Sequence, residues 1–247
     1  MAAWAISSAC AETRAPTSTA ICRQNPELAD HSFPAHPHWQ AGLTVDVKEV
    51  EACGTARWFT ALPIDDATFK RMQGSSYKKD CTVPRSQLRL LHVLHWNEQG
   101  QVQMGEMVCH RSIAADLVSI FRKLYDAHYP ISRMVLVDEY GADDERSMTA
   151  NNTSCFNFRH VAGTKVLSKH SRGLAVDINP LHNPMVKPLP NGTVKVSPKA
   201  GHPYADRTRK FSQRIDTSDL CYRLFTSYGF KWGGHWKKSK DYQHFEK

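Results

Sequence analysis

The chain has 247 residues, 41% of them hydrophobic and 23% charged, with 32 Lys and Arg against 24 Asp and Glu for a net charge of +8. This balance excludes a wholly disordered, collagen-like or coiled-coil protein, and no apolar run approaches the ~18–20 residues that cross a bilayer, so no transmembrane segment is expected. The charge favours anionic surroundings, but the basic clusters at 207–210 and 237–240 are short and interrupted; they read as solvated faces, and no nucleic-acid partner is expected.

Residues 1–55 are rich in Ala, Ser, Thr, Pro and His and lack sustained periodicity. They read as a leader plus a loosely structured extension. Ala9-Cys10-Ala11 looks like the cleavage end of a secretory signal, although no basic segment precedes it. A periplasmic or extracellular location is expected on that basis, with the packed domain spanning 56–247. Seven cysteines are spread along the chain without a Cys-x-x-Cys pair, which argues against a zinc ribbon or a thioredoxin-type site. Their odd number leaves at least one unpaired, and the spacing does not say which.

Two β-type segments, 88–96 and 101–108, flank the turn-like Asn97-Glu-Gln-Gly100 and predict a hairpin. Ile113, Leu117, Ile120, Phe121, Leu124, Tyr125 and His128 then fall on one face of a helix, with Ser112 as the expected cap and Pro130 beyond its end. Met134 to Val137 reads as a short buried strand, followed by a polar loop to Asn152. Leu174, Val176 and Ile178 alternate with Ala175 and Asp177, which predicts a strand with Asp177 on the face opposite the apolar residues. A last helix is signalled by Leu220, Cys221, Leu224, Phe225 and Tyr228, with Thr217 or Ser218 as cap and Gly229 at its stop. Hairpins and separate helices without regular βαβ alternation make the expected class α+β: a small antiparallel sheet with flanking helices and a metal site on one sheet face.

The chemistry is concentrated in two segments. His170 lies seven residues before Asp177, with Gly173 between them permitting a tight bend. Near the end, Asp241 precedes His244 by three residues, a spacing that puts the two on opposite faces of a regular strand, so a turn at Asp241 is needed for them to act together. Two histidines and one carboxylate form a sensible catalytic zinc set, because a fourth tetrahedral position stays open for water. A second carboxylate beside that water can take its proton and pass it to a leaving amine.

The pattern Ser-x-His-x-x-Gly-x-Ala-x-Asp over 168–177, followed by Asp-x-x-His over 241–244, resembles the zinc D-alanyl-D-alanine carboxypeptidases and dipeptidases of the VanX/VanY type. It is related to the endopeptidases that cut L-alanyl-D-glutamate bonds. The similarity extends through 152–159, 177–184 and 232–236, and covers roughly 57–247. It implies that His170, Asp177 and His244 ligate Zn2+ and that Asp241 is the general base. It further implies that Arg159 stabilises the oxyanion, for which a structural ion pair is the competing reading, and that Ser168 contacts substrate. Arg172 is the candidate cation for a terminal carboxylate.

The implied substrates are peptidoglycan peptides, and the implied activity is D-Ala-D-Ala carboxypeptidation. The alternatives are an L-alanyl-D-glutamate-type endopeptidase and a non-catalytic zinc- or cell-wall-binding module. His160, His182 and His235 lack the ligand spacing. Cys155, flanked by Phe156 and Phe158, is expected to be buried rather than nucleophilic.

Overall fold

The structure, a computed structural model, describes residues 39–161 and 163–247; the expected leader lies outside them. The strands β1 (Thr44–Val45), β2 (Thr60–Pro63), β3 (Leu88–Trp96) and β4 (Val102–His110) form an antiparallel sheet in the order β1-β4-β3-β2. The hairpin expected around residue 100 is its centre, paired from Leu88 opposite His110 to Trp96 opposite Val102. Asn97 closes its turn by accepting from the N–H groups of Gln99 and Gln101.

Both faces of this hairpin are covered, so its strands read as nearly continuous apolar runs rather than clean alternations. Leu91 and Val93 pack into the main core, while Leu88 and Leu90 join a second cluster with Leu136, Phe156 and Phe158. The part of the expected extension that the structure describes is built into the fold. β1 pairs with β4, and Asp46 caps α1 (Val47–Cys53), which buries Val50. The short α2 (Asp66–Met72) follows β2 and is capped by Asp65.

The long helix predicted after the hairpin is α3 (Arg111–Asp126), and it buries Ile113, Leu117, Ile120, Phe121, Leu124 and Tyr125 as the periodicity requires. Its cap is His110 and not Ser112: the ring nitrogen of His110 accepts the Ser112 N–H. Met134 to Val137 is buried but forms no strand. Asn152 stands in for the missing neighbour, its side-chain oxygen accepting from Val135 N and its amide donating to Val135 O. The stretch expected as a loop contains α4 (Asp144–Thr149), capped by Asp143.

Two further antiparallel sheets carry the chemistry. One has the order β5-β10-β8 and the other β7-β6-β9, from β5 (Ala175–Asp177), β6 (Met185–Pro188), β7 (Val194–Ser197), β8 (Lys231–Trp232), β9 (Lys240–Asp241) and β10 (His244–Glu246). Between β7 and β8 in sequence lies α5 (Leu220–Ser227), whose cap is Asp219 rather than Thr217 or Ser218. The protein is thus α+β, with small antiparallel sheets and several helices. Cys53 is disulfide-bonded, whereas Cys81, Cys109, Cys155 and Cys221 are free. Among the described residues no helix is long and apolar enough to cross a membrane.

Candidate metal centre

His170 sits on a single 3-10 turn, Lys169–Arg172, whose first free N–H groups include its own; the Ser168 hydroxyl accepts that N–H at 3.2 Å. Gly173 ends the turn with φ +66°, and a Cβ there would stand 2.6 Å from the backbone nitrogen of His110. Glycine is therefore required both by the left-handed conformation and by the close approach. The same nitrogen donates to Gly173 O at 2.9 Å, which pins the turn against the end of β4.

Asp177 closes β5 directly opposite His244 at the start of β10, and facing residues of an antiparallel pair point to the same side. Val176 and Phe245, one residue along, point the other way into the main core. Three donor atoms converge from these elements. His170 Nε2 lies 3.2 Å from Asp177 Oδ2, His244 Nδ1 lies 3.1 Å from Asp177 Oδ1, and the two ring nitrogens are 3.3 Å apart. All three side chains are buried. A tetrahedral zinc ion with bonds of about 2.0–2.1 Å holds its ligand atoms about 3.3–3.4 Å apart. The His/Asp/His set therefore fits a metal ion in both donor chemistry and spacing.

The remaining ring nitrogens are also committed. His170 Nδ1 donates to Cys155 O at 2.6 Å, and His244 Nε2 lies 3.3 Å from Glu246 Oε2. Such outer contacts fix the tautomer, leaving His170 Nε2 and His244 Nδ1 as the lone-pair nitrogens that face the centre. Nothing in the spacing pointed to the Cys155 carbonyl. Glu246 was visible in principle, since it stands two residues beyond His244 and so shares its strand face.

Charge separation in the centre is strong. Burial opposes ionisation of Asp177, but His170 and His244 outweigh it and hold the carboxyl well below its ordinary range. Burial likewise opposes protonation of His244, and its hydrogen bonds to Asp177 and Glu246 win, raising it to about 10, so a metal ion that binds at Nδ1 must displace a proton there. Asp241 is different. Burial pushes its carboxyl up to about 7, Asp177 adds to the rise, and His244 opposes it. Its Oδ1 is buried without a hydrogen-bond partner.

The turn expected at Asp241 is a change of sheet. Asp241 ends β9 opposite Met185, whereas His244 begins β10 opposite Asp177. Tyr242 and Gln243 make the crossing, and the Gln243 carbonyl anchors it by accepting Ile178 N–H at 3.0 Å. Because the two residues belong to different sheets, the opposite-face rule for a single strand does not apply to them. Gly233 packs on both: a Cβ there would be 2.7 Å from Asp241 O and 3.2 Å from His244 Cβ. The turn that follows brings Trp236, 37% exposed, to 5.1 Å from the His244 ring.

Arg159 is held by Asp144 of α4 through two contacts, Nε to Oδ1 at 3.0 Å and Nη2 to Oδ2 at 2.7 Å. The charge of Asp144 reaches Asp241 and contributes to its raised carboxyl. Ser168 is buried, while Arg172 is exposed on the His170 turn. His182 lies in a polar cluster with Asn151 and Gln213, His235 packs edge-on against Tyr222 and Trp232, and His160 bridges to Leu167. None of them joins the centre. Cys155 is buried, its thiol pushed far up by burial, so its carbonyl rather than its sulfur serves the site.

Residues 162–247 match the family model described as D-alanyl-D-alanine carboxypeptidase. This segment contains His170, Asp177, Asp241 and His244, so the resemblance carried by the two motifs is shown across it. The segment is thus similar to that peptidase family, and it holds the buried His170, Asp177 and His244 group that could bind a metal ion. No curated protein and no solved structure matches the chain.

Proposed function

We propose that this protein is an exported zinc peptidase that removes the terminal D-alanine from peptidoglycan stem peptides. The observation that carries the reading is the convergence of His170, Asp177 and His244 beside Asp241, whose buried carboxylate oxygen has no partner of its own. A purely structural metal site would be closed by a fourth ligand and would have no use for such a group. The disulfide at Cys53 fits an oxidising compartment.

His170, Asp177 and His244 would hold the zinc ion, which supplies a polarised carbonyl and a bound water of lowered pKa. Asp241 takes the water's proton at Oδ1 and returns it to the leaving amine, a task for which a carboxyl raised toward neutrality is suited. Arg159 is assigned to the developing oxyanion. Its guanidinium has five N–H donors, and Asp144 engages it through Nε and Nη2. Ser168 accepts the His170 N–H through its lone pair, leaving the hydroxyl hydrogen to donate to a substrate carbonyl. Arg172, exposed beside His170, is assigned to the free terminal carboxylate.

Mass spectrometry of purified muropeptides, incubated with and without chelator, tests the reading. Chelator-sensitive release of free D-alanine, suppressed when the terminus is amidated, is the expected result. Products cut at L-Ala-D-Glu would transfer the chain to the endopeptidase alternative with the same centre. No cleavage by the zinc-loaded protein would leave a binding module.

A further inference from the structure

Arg159 is fixed at both its backbone and its guanidinium. Its backbone is clamped to the turn that carries His170: Arg159 N–H donates to the buried Ser171 hydroxyl at 2.9 Å, that hydroxyl donates back to Arg159 O, and Ser168 N–H donates to the same carbonyl at 3.1 Å. Its guanidinium is held by Asp144, which engages Nε at 3.0 Å and Nη2 at 2.7 Å. A two-point contact of this kind fixes the rotation of the group as well as its distance. It uses two of the five N–H donors and leaves the other three for a further acceptor.

Asp144 is itself braced toward the base. It is the first residue of α4, and the next residue, Glu145, accepts the Lys199 N–H at 2.6 Å and the Ser197 hydroxyl at 3.4 Å, where β7 ends. β7 pairs with β6 and β6 with β9, so that Met185 stands opposite both Ser197 and Asp241. Adjacent carboxylates at the start of one short helix thus tie Arg159 to the sheet that ends at Asp241. An unheld arginine has about 2 kcal/mol of rotamer freedom to lose when a ligand fixes it. Asp144 has removed that freedom in the free protein, which is the condition for a donor aimed at charge that develops only during the reaction.

We propose that Asp144 is a positioning residue for the reaction: it holds the Arg159 guanidinium where the oxyanion develops, with α4 setting its place relative to Asp241. The inference rests on the peptidase reading and on Arg159 as its oxyanion donor, and it assigns this ion pair to the chemistry rather than to the fold. Because Asp144 acts through Arg159, its loss should weaken binding of the tetrahedral species and spare binding of the ground-state peptide.

The test compares zinc-loaded wild type, Asp144→Asn, Arg159→Ala and the double variant. Asp144→Asn keeps the size of the side chain but loses its charge and one of its two acceptors. Binding is measured by calorimetry with phosphinate isosteres of D-Ala-D-Ala and L-Ala-D-Glu, which carry a stable tetrahedral oxyanion, and hydrolysis with the corresponding peptides. Asp144→Asn is expected to weaken the better phosphinate and to lower kcat by about tenfold or more, with KM, zinc content and melting temperature close to wild type. Added to Arg159→Ala it should have no further effect, because the group it positions is gone. Asp144→Glu, which keeps the carboxylate, should recover part of both losses. Unchanged phosphinate affinity in Asp144→Asn, a loss equally large in the Arg159→Ala background, or a loss accounted for by missing zinc overturns the proposal. So does a wild type that binds neither phosphinate. Phosphinate binding that depends on Asp144, in a wild type that cuts neither peptide, would keep the positioning role and remove the peptidase reading. Hydrolysis indifferent to Asp144 would do the reverse.

Discussion

His170 Nε2 and His244 Nδ1 face each other at 3.3 Å with Asp177 against both. When the outer nitrogens donate to Cys155 O and Glu246 Oε2, both facing nitrogens carry lone pairs that a metal ion between them would satisfy together with the Asp177 carboxylate. Purified protein is therefore expected to hold about one zinc per chain. His244→Ala, or deletion of residues 244–247, should lower metal affinity sharply, as read by metal analysis after dialysis. Full occupancy in His244→Ala would reject the ligand set. Chelation should also lower the melting temperature, because the ion binds only the folded arrangement.

Asp241→Asn separates base from ligand. The variant should keep zinc and its melting temperature but lose about 10²–10⁴-fold in kcat, since the proton has no acceptor. Loss of zinc from this variant would make Asp241 a ligand, and near-normal turnover would place the base elsewhere.

Glu246→Ala removes the acceptor that fixes the His244 ring while leaving all three donors in place. Metal affinity should drop about 10–100-fold, measured by competition with a coloured chelator. An unchanged affinity would mean that the ring is oriented by packing alone.

Gly233→Ala should disturb the base more than the fold. The added methyl would sit 2.7 Å from the backbone oxygen of Asp241, which cannot swing aside as a side chain would. A destabilisation of about 1–3 kcal/mol is expected, with a fall in kcat that exceeds what the lost folded fraction explains. Comparing kcat with the folded fraction by circular dichroism decides it.

His95 predicts acid lability away from the centre. Burial lowers this histidine to about 4 although its Nδ1 meets Ile131 O at 2.8 Å. The unfolded chain takes up a proton near pH 6.5 that the native protein refuses until about 4, so stability should fall as pH drops through that window. The loss amounts to about 3 kcal/mol. His95→Asn, which keeps a donor for Ile131 O, should flatten the dependence of the urea midpoint between pH 6.5 and 4; an unchanged slope would assign the lability to other groups.

Some of this protein is a property of the chain read locally. The apolar stripe of α3, the hairpin around Asn97 and the donor types at His170, Asp177 and His244 were all legible, because periodicity and residue chemistry are local. Caps were less so. His110 rather than Ser112 and Asp219 rather than Ser218 hold the helix starts, one or two residues from the expected sites, since several polar residues at each start compete for the same N–H groups.

What only the tertiary structure decided are the relations between residues far apart in sequence. Asn152 supplies the hydrogen bonds that a strand beside Val135 would have supplied, and so turns an expected strand into irregular buried chain. Cys155 orients His170 through a carbonyl that every residue possesses, so its side chain gives no sign of the role. Asp144 takes hold of Arg159, and the change of sheet between Asp241 and His244 brings into one site two residues that a single strand would keep apart. The sequence alone determined which groups were available for chemistry. Their arrangement depended on backbone hydrogen bonds and strand register between distant segments, which have no local signature because any residue can make them.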